Sequence, residues 1–248
     1  MKKYFFLAHT NYSGYYYTHL LLEVVVGVCI FLIVRKSKKS IERTVLLSYL
    51  ICLEFLFLFT DLVFPLAAFR HQLLRVAYFE SVELLNELFG ILEVYVGFTI
   101  YNLRLNSSLI KKARSISLAF IVLVSGIYYY QILNSETYSD IYRNAEMISS
   151  FVYASLTIGG VIHFVECYRK NIFQTNYSWL CFIFFFYSTI SYLIFPLSMY
   201  CYEHLANTNY WRVLNAYHVI LILAVAISIT KHLAFKRETE TRYIKFVT

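Results

Sequence analysis

Seven stretches of this chain approach or reach the ~20 apolar residues that a helix needs to cross the hydrocarbon core of a bilayer. They lie near 17–34, 44–66, 82–103, 115–134, 147–168, 178–200 and 212–235. No other feature limits the possible folds so strongly. A backbone in hydrocarbon must satisfy its own hydrogen bonds, which a helix does. The expected architecture is therefore an all-α bundle of seven transmembrane helices, forming a single domain over residues 1–248. Composition agrees: 15% of residues are charged, against about 25% in a soluble domain. Seven glycines and two prolines leave few breaks between helices.

Lysine and arginine set the orientation. Arg35, Lys36, Lys38, Lys39 and Arg43 follow the first stretch, and Arg104, Lys111, Lys112 and Arg114 follow the third. Arg169 and Lys170 follow the fifth, and five more basic residues lie in the tail from Lys231. Sixteen of the 22 basic residues thus share one side. The positive-inside rule places that side in the cytoplasm and the N-terminus outside. Tyr12, Tyr15, Tyr16, Tyr17 and Tyr128, Tyr129, Tyr130 then fall at the outer interface, where tyrosine is enriched. The net charge of +7 is accounted for by this topology, and nucleic acid is not an expected partner.

The third stretch carries most of the chemistry. On a helix, Glu83, Asn86, Glu87, Gly90, Glu93, Gly97 and Tyr101 fall within roughly 120° of one another. Ionisable groups at membrane depth normally face a bundle interior or a wet cavity. Glu83 and Glu87 lie towards the outside, at a depth similar to Glu23, Asn215 and His218. With Asn86, these residues are the candidate lining of an outward-opening ligand pocket. The competing reading leaves Glu83 and Glu87 among headgroups and water. Glu54 and Glu93 lie near mid-membrane. No lysine or arginine sits in any span core, and a charged acid there costs at least roughly 2.5–3.5 kcal/mol. Level on antiparallel neighbouring spans, the two are expected each to face the bundle as adjacent acids, neutral or sharing one negative charge. The alternative is a structural hydrogen bond between helices for each. His163 is read as a packing residue or a ligand, and Gly90 and Gly97 as points of close helix approach.

Several classes are set aside. Zinc-protease, serine-hydrolase and phosphate-loop motifs are absent, as is any Cys-x-x-Cys pair, so neither an enzyme nor a metal site is expected. The N-terminal apolar run of five residues is too short for a signal peptide. The twelve residues after Lys236 are too few for an output domain, so an inward signal would pass to a separate protein. Val63-Phe64-Pro65-Leu66 and Ile194-Phe195-Pro196-Leu197 form a weak repeat. It raises the possibility of two three-helix units joined by a fourth span, as in small sugar transporters.

Two carboxylates about ten residues apart on the third span resemble microbial rhodopsins, but the seventh span lacks the Schiff-base lysine, so no retinal or other cofactor is expected. Glu54, Asn86 with Glu93, Trp179 opening the sixth span and Asn215 in the seventh are similar to a family of seven-span membrane proteins common in Bacteroidetes. The chain departs from it at Tyr177-Ser178-Trp179, where a Phe-Trp pair is expected. The resemblance implies a multi-pass protein of the bacterial cytoplasmic membrane, a sensory component working with a separate kinase. The leading expectation is a receptor-like signalling protein with an outer polar pocket and a cytoplasmic partner. The alternatives are a small-solute or proton-coupled transporter and a pore or structural subunit of an oligomeric assembly.

Overall fold

A computed structural model describes residues 13–58, 73–134, 138–170, 175–204 and 208–235. All regular structure among them is helical. The helices are α1 Ser13–Lys36, α2 Ile41–Leu58, α3 Leu73–Asn102, α4 Ser108–Asn134, α5 Tyr138–Lys170, α6 Thr175–His204 and α7 Thr208–Ala234. Among the described residues, each expected span overlaps one helix, the second of them only as far as Leu58. The helices extend past the apolar windows because polar turns such as Tyr138–Glu146 continue the helix beyond the hydrocarbon-sized segment. The first copy of the Phe-Pro repeat, at 63–66, lies outside the described residues, as does Asp61; Pro196 sits inside α6.

Three helical segments among the described residues are long and apolar enough to cross a membrane: Met147–Lys170, Tyr177–Ile194 and Ala216–Ala234. Leu88–Asn102 is a shorter apolar segment. The sequence led us to expect seven. The exterior supports a membrane setting as well. Val24, Phe31, Ile116, Leu123, Ile158, Leu193 and Ile220 are all more than half exposed. Meanwhile Glu93, His163, Ser188 and Ser191 are buried. Exposed apolar surface on this scale marks a contact with lipid or protein.

The helices form a ring in chain order, closed where α7 packs on α1. Helix α3 touches α2, α4, α5 and α6, so it is the inner helix. Glycines allow its close approach. A Cβ on Gly97 would lie 2.4 Å from Leu156 and 2.6 Å from Phe184. One on Gly159 of α5 would lie 2.8 Å from Phe98 of α3. Small residues at helix contacts of this kind let backbones pack closely. Two three-helix units would each place their first and third helices in contact. Among the described residues neither α1 with α3 nor α5 with α7 is a closely packed pair, although the Tyr153 ring of α5 meets the His218 ring of α7 at 6.0 Å.

The C-terminal end of α3 is tied down by its neighbours. The last carbonyls of a helix have no partner within the helix. Here the Tyr177 hydroxyl donates to Ile100 O at 2.8 Å and to Tyr101 O at 3.1 Å. His163 Nδ1 lies 2.6 Å from Tyr101 O and acts as donor. Asn106 then turns the chain with φ 45°, a left-handed value that asparagine tolerates. Beyond the turn, Ser107 donates to Glu166 at 3.1 Å, and Lys170 donates to Leu105 O at 2.9 Å. Beside the Tyr177 ring, at 6.3 Å, His232 of α7 meets Glu42 of α2. Tyr177→Phe removes donation to two carbonyls of α3. It is expected to lower stability by about 1 kcal/mol, read from thermal unfolding in detergent. Unchanged unfolding would mean that other groups satisfy this end.

Candidate functional site

Five helices converge on Glu93. Its helix is the inner one, and its position on the polar face turns the side chain towards α2 and α6. Glu93 is 1% exposed. Its Oε1 accepts the Tyr187 hydroxyl of α6 at 2.6 Å and the Tyr49 hydroxyl of α2 at 3.1 Å. The first distance is that of a strong O–H···O bond, and the second is a longer one. Tyr153 of α5 lies 2.9 Å from Tyr187, oxygen to oxygen. Tyr153 is also a hydrogen-bond partner of the Glu93 carboxyl group, so three phenols surround the acid. Tyr153, Tyr187, Tyr49 and Glu93 thus form one connected network.

Helix α7 contributes His218. Its ring centroid lies 5.8 Å from Tyr187 and 6.0 Å from Tyr153. His218 Nδ1 is 3.1 Å from Ser191 Oγ on α6. Aromatic rings hold the phenols in place. Tyr49 stacks on Phe89 at 5.6 Å, and Phe184 meets Tyr187 edge-on at 5.7 Å. The cluster is made of donors around one carboxyl group. Such a network is worth most when every member is satisfied, because an unpaired polar group in this setting is costly.

The other expected site residues are arranged differently. Glu54 faces α1, with Oε1 3.6 Å from where a Cβ on Gly27 would stand. Its electrostatic neighbour among the described residues is Glu23, and its Oε2 has no hydrogen-bond partner there. Glu54 thus points to the α1–α2 contact, whereas Glu93 points to the tyrosines. The level pairing expected from chain position does not form, because depth along a helix does not fix the direction a side chain faces. Glu23 and His218 stand on adjacent helices, α1 and α7. The side chains of Glu83, Asn86, Glu87 and Asn215 lie outside those described. His163 takes the packing role, with Nε2 3.4 Å from Cys167 Sγ.

Tyr49, Tyr153, Tyr187 and Ser191 were not singled out from the sequence. With 24 tyrosines, the interfacial belt is a ready explanation for any one of them. The signal that distinguishes these three is position. They stand well inside their apolar stretches, where a phenol needs a buried partner.

Comparison with family models, curated proteins and solved structures gives no match. The fold and its exterior define an all-helical membrane protein. Among the described residues the chain buries an acid held by tyrosines of three helices, with a histidine beside them.

Proposed function

We propose that the chain is a receptor-like signalling protein with seven membrane-spanning helices, its N-terminus outside, acting through a separate cytoplasmic partner. The observation that carries this reading is the convergence of five helices on Glu93 within one closed ring. A ligand or charge change that shifts any of α2, α5, α6 or α7 has to alter a bond or ring contact in this cluster. Tightly packed interiors respond to such a change by switching between discrete arrangements. The sixteen basic residues on one side supply the orientation, and the short loops direct any output to another protein. The bacterial cytoplasmic membrane is the proposed location, and a kinase is the proposed kind of partner.

A second reading is favoured by one feature, the continuous chain of hydroxyl groups from Tyr153 to Glu93. A carboxyl group joined to phenols can exchange protons, as a proton-coupled transporter requires. Sealed vesicles separate the two. A receptor leaves an imposed proton gradient standing, with or without added small solutes. Collapse of the gradient that depends on a solute would establish the transporter, and collapse without any solute would indicate a pore.

The topology has its own test. A phosphatase that works only outside the cell should be active when fused after Asn207 and silent after Ser107. The opposite pattern would reverse every depth assignment.

A further inference from the structure

A groove of about 340 Å³ runs between α1 and α7 on the outside of the ring. Val24, Val28 and Leu32 form one wall, and Ile227, Lys231 and Phe235 form the other. Thr230 also lines it, but its hydroxyl donates to Ala226 O at 2.9 Å and leaves the surface apolar. Val28 and Ile227 are each about half exposed. One end of the groove is different. Lys231 is there, and the Lys36 ammonium sits 4.4 Å above the Phe235 ring. Two cations therefore flank the mouth of an apolar channel.

We propose that this groove binds one anionic phospholipid, with an acyl chain between α1 and α7 and the phosphate between Lys36 and Lys231. Three observations support it. The first is length. From Val24 to Lys36 a helix rises about 18 Å, close to the ~15 Å depth of one leaflet's hydrocarbon. The second is wall chemistry: no polar atom faces the channel, so it suits a hydrocarbon chain and not a polar solute. The third is charge. Lys36 and Lys231 complement a headgroup that carries net negative charge, and a zwitterionic headgroup would gain less. The same charges disfavour a second copy of the chain. Two copies in one membrane share an orientation, so their lysines would meet at one depth and repel. The site does not involve Glu93 or the receptor activity; it rests on the seven-span reading, in which α1 crosses the membrane beside α7.

The test uses the full-length protein released from micelles into a native mass spectrometer. Phosphatidylglycerol and phosphatidylcholine with identical chains are titrated in competition. One phosphatidylglycerol should be retained in preference. Lys36→Gln and Lys231→Gln should each reduce the preference about fivefold. Val28→Trp fills the groove and should abolish the adduct, whereas Ile116→Trp, on the exposed face of α4, should leave it intact; circular dichroism confirms that both variants stay helical. Equal retention of the two lipids, a preference that survives the double lysine substitution, or a protein dimer in place of the lipid adduct would overturn the proposal.

Discussion

Replacing Glu93 with leucine is expected to destabilise the bundle more than any other single change in the buried cluster. The hydroxyls of Tyr187 and Tyr49 both end on Glu93 Oε1, in a site that is 1% exposed. Leucine has a similar bulk but no acceptor. Each stranded phenol costs about 1–3 kcal/mol, so the loss should be several-fold larger than that of Tyr49→Phe, which removes one donor and strands nothing. Glutamine keeps an oxygen at the same place and should preserve most of the stability. The order of thermal unfolding temperatures in detergent should therefore be wild type, Glu93→Gln, then Glu93→Leu well below. A leucine variant as stable as the glutamine variant would mean that the phenols do not rely on Glu93.

The second large effect is steric. Gly97 sits one turn beyond Glu93 on the same helix. Even a methyl group there would overlap Leu156 and Phe184, both fully buried. Phe184 in turn packs on Tyr187, Tyr49 and Tyr101. Valine at position 97 would push this ring out of place and disturb the tyrosines. Overpacking typically costs about 1–3 kcal/mol, and here it acts on the cluster as well as on the helix contact. Gly126 is the comparison, because nothing lies within 4 Å of a Cβ built on it. Gly126→Ala should stabilise α4 by roughly 1 kcal/mol through helix propensity alone. Equal effects at the two positions would show that α3 and α5 do not approach as closely as described.

The helices were legible in the sequence because length and apolar run are local properties. Their neighbours were not. The Phe-Pro repeat pointed to two units of three helices, but the closely packed pairs trace one ring, and pairing depends on surfaces that a repeat of four residues does not specify. Glu93 was found because an acid in an apolar stretch stands out by chemistry. Its partners were missed because tyrosine is common here and serves both interface and interior. Glu54 shows the limit of depth arguments. It lies five residues beyond Tyr49 on α2, about 140° around the helix, so the two side chains serve opposite contacts. Tyr49 reaches Glu93 while Glu54 turns to α1 and Glu23.

The central claim is that Glu93 is bonded to Tyr187 and Tyr49 inside a folded bundle. Infrared difference spectroscopy in membranes tests it directly. The signal lost on Glu93→Gln belongs to the Glu93 carboxyl group. It should shift when Tyr187→Phe is introduced and shift less with Tyr49→Phe, matching bonds of 2.6 and 3.1 Å. Both tyrosine signals should in turn move in Glu93→Gln. A Glu93 signal indifferent to the loss of either tyrosine would contradict the account.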